Sequence, residues 1–97
     1  MSRDEILAIL RSQKSYLEEK YGVQKIGLFG SYARDEATNE SDIDIYVELK
    51  ENRFMTLAGL WNYLDDLYQD IKVDMVNKHR HSKSAIFKCI QEETIFV

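Results

Sequence analysis

Proline is absent from the 97 residues, glycine occurs four times and cysteine once. Lack of proline and scarcity of glycine exclude a stiff proline-rich spacer and a flexible low-complexity tract. The expectation is a single domain spanning residues 1–97, too small to hold two cores. One cysteine, Cys89, rules out an internal disulfide and a thiolate cluster, and its helical surroundings predict a small buried hydrophobe. Positive charge is also in deficit: the formal net charge of −4 argues against a surface built to hold an extended nucleic-acid backbone. No apolar run approaches the roughly 18 residues of a membrane span, and Met1 leads straight into the charged "SRDE". A cytoplasmic protein with no membrane partner is expected.

Periodicity then supplies the elements. Ser2 and Glu5 form a capping-box pattern ahead of Ile6, Leu10 and Leu17, predicting a helix over 3–20 that Gly22 terminates. "VQKIGLF" reads as a strand broken by Gly30 and Ser31, followed by a short helical turn and the polar loop "EATNES". In "DIDIYVEL", Ile43, Ile45, Val47 and Leu49 share one face while Asp42, Asp44, Tyr46 and Glu48 share the other. Phe54, Leu57, Trp61, Leu64 and Tyr68 predict a helix over 54–69 whose stripe, aromatics included, belongs to the core. "IKVDMV" is a third strand, with Asp74 at its middle. Ser82 or Ser84 can cap a last helix carrying Ile86, Phe87 and Ile90, and "TIFV" is extended. The fold class is α/β in the α+β sense: a small mixed sheet of three to four strands flanked by helices.

Chemistry concentrates in the middle of the chain. Asp42 and Asp44, two apart on one strand, stand roughly 7 Å from each other on the same face. Burying such charges costs several kcal/mol unless a cation, a ligand or open solvent compensates them. They are either solvated acids at a strand end or hard oxygen ligands for a divalent ion such as magnesium, with Asp74 completing the set if its strand is adjacent. Gly30-Ser31 is either an ordinary tight turn or a place where backbone N–H groups and a hydroxyl hold phosphate oxygens. Taken together, a phosphate-holding turn and a metal-binding strand are the parts that phosphoryl or nucleotidyl transfer needs.

"GSYAR" followed by "SDIDI" resembles the signature of the DNA polymerase beta-like nucleotidyltransferase superfamily, and the short length resembles its minimal branch, the MNT domains. The likeness is strong from Ile26 to Leu49 and extends to "KVDMV". It implies a nucleotidyltransferase-like fold. Gly30 and Ser31 then match the nucleotide-phosphate positions, Asp42 and Asp44 the two metal-binding aspartates, and Asp74 a third carboxylate that ligates metal or activates the acceptor hydroxyl. Arg34 matches an arginine of the motif, with a phosphate role set against a surface ion pair, for instance to Asp35. Many relatives carry glycine where this chain has Asp35, a residue that tolerates the left-handed backbone better than most.

The resemblance further implies two Mg2+ ions, ATP as substrate and a HEPN-type toxin as partner. In such pairs the MNT antitoxin transfers AMP from ATP to a tyrosine of the HEPN RNase and silences it. The contrasting class is a non-catalytic module that inhibits its partner by docking on it; intact carboxylates favour the enzyme. His79 and His81 flank Arg80, whose charge opposes metal binding, so contact with phosphate or an RNA-like partner suits them better. Lys72, Lys78, Arg80, Lys83 and Lys88 make the last third locally cationic, as a solvated face or as an anion- or partner-binding patch. Tyr46 can stack on a base or pack against neighbours.

Overall fold

A computed structural model describes residues 1–78 and 84–97. Helix α1 spans Arg3–Tyr21 and opens on the predicted capping box: Ser2 Oγ accepts the Glu5 N–H at 3.2 Å, and Glu5 Oε1 accepts the Ser2 N–H at 3.1 Å. Gly22, at φ 67°, closes it in the left-handed conformation and donates its N–H to the Glu18 carbonyl. There follow β1 (Val23–Phe29), α2 (Gly30–Ala33), β2 (Ile43–Leu49), α3 (Phe54–Leu67), β3 (Val73–Asn77), α4 (Ala85–Glu93) and β4 (Ile95–Phe96). The order is the one the periodicity predicts, with shifts of one or two residues: Asp42 lies just before β2, and α3 ends at Leu67 rather than 69. Ser84 caps α4 by accepting the Phe87 N–H at 3.2 Å. His79, Arg80, His81, Ser82 and Lys83 lie outside the described residues, and with them the histidine pair and two of the five residues of the basic stretch.

The strands form one mixed sheet in the order β3-β2-β1-β4, antiparallel except for the parallel pair β2–β3 that α3 connects. One face receives α1 and α3. There Ile6, Leu10 and Leu17 of α1 and Leu60 and Leu64 of α3 bury against Ile26, Leu28, Ile43, Ile45 and Val47, none of them with measurable exposure. Just past α3, Tyr68 donates its hydroxyl to the Ile6 carbonyl at 2.8 Å and ties the end of one helix to the start of the other. The opposite face is covered thinly. Helix α4 has no buried residue, and Tyr46 is enclosed there mainly by the edges of Phe87 and Phe96, with centroids 5.8 and 5.7 Å away. Tyr46 therefore packs rather than offering a stacking face. Among the described residues no helix is long and apolar enough to cross a membrane.

The predicted core stripe of α3 is only half realised. Phe54 is 80% exposed and Trp61 40% exposed, whereas Leu60, Leu64 and Tyr68 are buried. Phe54 opens the helix and stands with Leu57, Trp61, Met75 and Asn77 around an open surface groove instead of lying under the sheet. Trp61 instead serves the sheet edge. Its indole Nε1–H donates to the Val73 carbonyl at 2.8 Å, while Asp65 Oδ1 accepts the Val73 N–H at 3.1 Å, so α3 covers polar backbone of the edge strand β3. Cys89, expected inside, is exposed, because α4 turns little of itself toward the sheet. Phe54→Ser is accordingly expected to change unfolding free energy by no more than about 0.5 kcal/mol, which a urea titration would read directly.

Candidate active site

The site assembles where three strand ends meet. Parallel pairing sets Asp44 of β2 opposite Asp74 of β3, so the two carboxylates leave the same face of adjacent strands. Asp42 continues the alternation one step before β2, where the Ile43 N–H donates to the Lys72 carbonyl at 2.9 Å. The sequence could not show that the strands were neighbours; the structure brings all three aspartates to one end of the sheet. On the other side of β2, antiparallel pairing places Phe29 opposite Asp44, and the next residue is Gly30.

Gly30 is confined in two ways. Its φ is 78°, where a side chain is strained, and a Cβ there would come within 2.1 Å of Asp44 Oδ2. Chain reversal at Gly30 thus sets the turn directly against an aspartate. Ser31 follows on α2, half-buried, and the turn continues to Asp35 at φ 61°. Aspartate therefore adopts the left-handed geometry itself, and the loop is closed by the Glu36 N–H donating to the Ser31 carbonyl at 2.9 Å.

One residue of the site carries no signal in the sequence pattern. Glu93, the last residue of α4, accepts the Gly30 N–H through Oε2 at 3.2 Å and pairs through Oε1 with Arg34 Nη1. Arg34 also reaches Glu36 at 3.2 Å, so its partners are Glu36 and Glu93 rather than the anticipated Asp35. Register explains Glu93's position: Leu28 pairs with Ile95 and Gly27 with Phe96, and carrying that antiparallel pattern two residues further brings Glu93 to Gly30.

Four acids thus share one end of the sheet, and Asp44 carries the consequence. Its carboxyl is raised from 3.8 to about 6, by burial first and then by repulsion from Asp74 and Asp42; Arg34 pulls it down and Glu93 adds to the rise. A carboxyl whose folded pKa lies above its unfolded value contributes stability that is complete below about pH 4 and is lost as pH climbs through about 6. In the presence of a chelator, Asp44→Asn is therefore expected to raise Tm at pH 7.5 and leave it unchanged near pH 4. For a partly solvated group the gain is on the order of 1 kcal/mol, about 4–8 °C in a domain of this size. Differential scanning calorimetry at the two pH values reads the difference, and equal Tm shifts at both would dismiss charge as its cause.

An all-oxygen donor set suits magnesium, and the raised Asp44 carboxyl marks a surplus of negative charge that a divalent cation would relieve. The residue types and their backbone placement fit such an ion. Among the described residues, no three His, Cys, Asp or Glu side chains already converge as a cage, so the aspartates would have to rotate about their side-chain bonds to close on one.

A four-stranded mixed sheet with an acidic strand pair beside a glycine-serine turn defines a small α/β domain of the nucleotide-transferring class. The polymerase beta nucleotidyltransferase family model matches residues 12–97. The chain belongs to that family, in its minimal branch, and is a nucleotidyltransferase. It is 48% identical over 94 residues to a Methanocaldococcus jannaschii protein named as a protein adenylyltransferase, covering 96% of this chain and 95% of that one. To the protein adenylyltransferase MntA of Thermococcus cleftensis it is 39% identical, covering 100% and 97% of the two chains. A solved structure described as a minimal nucleotidyltransferase superposes with a TM-score of 0.81 at 28% identity, covering 98% of this chain and 95% of that one. A toxin-antitoxin structure solved with AMP-PNP shares the fold with a TM-score of 0.64 at 24% identity, over 99% of this chain and 72% of that one.

Proposed function

We propose that this domain is an antitoxin that transfers AMP from Mg-ATP to a tyrosine hydroxyl of a HEPN-type RNase toxin. The observation that carries the proposal is the in-register pair Asp44 and Asp74 set against Gly30, which joins acid and phosphate-loop elements in one place. Relatives named as protein adenylyltransferases support the reaction class, and fold neighbours solved as toxin-antitoxin assemblies, one of them with AMP-PNP, support the kind of partner and of substrate.

Asp42 and Asp44 would hold two magnesium ions, with Asp74 as ligand or base. When bound, the ions supply neutralisation of triphosphate charge. Gly30 and Ser31 would position the phosphates by backbone N–H and hydroxyl, aided by Arg34. The acceptor oxygen attacks the α-phosphorus, the bond to the bridging oxygen breaks, pyrophosphate departs, and the hydroxyl proton passes to Asp74. Net negative charge suits docking on a basic RNase surface.

The test is the intact mass of a HEPN partner after incubation with the domain, magnesium and ATP. Addition of one AMP, mapped to tyrosine, is expected. A partner that binds tightly yet keeps its mass would establish the docking module instead.

A further inference from the structure

The carboxylate of Glu93 sits on two groups that the proposed function gives to the nucleotide. Its Oε2 accepts the Gly30 N–H at 3.2 Å, and its Oε1 pairs with the Arg34 guanidinium. A backbone N–H of the glycine-serine turn and an arginine are what an anionic phosphate oxygen would engage, and one carboxylate spans both. We propose that Glu93 is a built-in competitor for the triphosphate: it occupies the phosphate-binding groups of the free domain and must swing away for nucleotide to enter. This rests on the assignment of Gly30-Ser31 and Arg34 to phosphate.

Three features make Glu93 a displaceable occupant rather than a fixed strut. Its side chain is 29% exposed, so a rotation carries the carboxylate into solvent. Arg34 is 47% exposed and shares its charge with Glu36, which keeps the pair weak. No residue of α4 is buried, so little packing resists adjustment at its last turn. Left in place, the carboxylate would face an incoming triphosphate with like charge and deny it a donor. The domain then binds nucleotide with an affinity reduced by the fraction of time the site is open.

Isothermal titration calorimetry on the whole domain decides the matter, with two probes: a non-hydrolysable ATP analogue plus magnesium, and inorganic tripolyphosphate. Glu93→Gln keeps the shape and removes the charge; Glu92→Gln removes an equal charge from the exposed neighbour and controls for the general field. Expected is a tightening of both probes by about three- to tenfold in Glu93→Gln, with less than half of that gain in Glu92→Gln. The ligand-induced rise in Tm should be larger for Glu93→Gln than for wild type, which also checks that the variant folds. Unchanged or weaker binding in Glu93→Gln, or an equal gain in Glu92→Gln, would overturn the competitor while leaving the phosphate assignment standing. Failure of both wild type and Glu93→Gln to bind either probe would remove both.

Discussion

Replacing Asp42 and Asp44 together by asparagine is expected to abolish nucleotidyl transfer, by on the order of a thousandfold or more, in a domain that still folds. The magnitude follows from the several kcal/mol of transition-state charge stabilisation that metal ligation supplies. Survival of the fold follows from where these side chains stand. Neither belongs to the buried cluster, which is built from Ile43, Ile45 and Val47 on the opposite face of the same strand. Asparagine keeps the size of aspartate and removes charges that repel one another at Asp44. The double variant should therefore be at least as heat-stable as wild type in chelator while inactive in magnesium. That pairing of gain and loss separates a functional acid cluster from a structural one. It is read by transfer of label from ATP to the partner alongside a thermal melt; a variant that still labels the partner at wild-type rate would remove the two aspartates from the active centre.

How much of the fold and site is legible in the sequence depends on whether the governing interaction is local. The capping box at Ser2 and Glu5, the left-handed Gly22 and the alternation of Ile43, Ile45 and Val47 act within a few residues, and they bound α1 and β2 closely. Adjacency of β2 and β3 is a condition the sequence can state and not resolve, since a parallel pair is set by the α3 crossover. Phe54 and Trp61 depart from the core reading because a helical stripe records which face is apolar and not how much of it the sheet covers: both line an open groove beside Met75 and Asn77 of the edge strand. Glu93 is invisible to the pattern because its contact with Gly30 depends on β4 returning antiparallel to β1. An acid two residues before "IFV" is the available hint, and it acquires meaning only once that register is known.

Gly30→Ala should be nearly as damaging as loss of the aspartates, for a different physical reason. Alanine at φ 78° costs roughly 1–2 kcal/mol of backbone strain, and its methyl would stand 2.1 Å from Asp44 Oδ2, 2.9 Å from Cγ and 3.2 Å from Cβ. Rotating the carboxylate relieves the first contact and leaves the others, so either Asp44 is pushed out of its place or the turn unwinds from β2. Both outcomes separate the acid from the Gly30 N–H, the two elements whose closeness defines the site. Transfer should fall by at least about a hundredfold, the scale on which roughly 1 Å of misplacement acts, with a Tm lower by several degrees. Combining it with Asp44→Ala gives the decisive comparison, because removing the carboxylate also removes most of the clash. If crowding is the cause, adding Gly30→Ala to Asp44→Ala should cost clearly less stability than adding it to wild type, by about 1 kcal/mol or more in a double-mutant cycle. Strictly additive losses would mean that backbone strain alone fixes glycine there, and that the close packing of turn against aspartate contributes nothing to holding the site together.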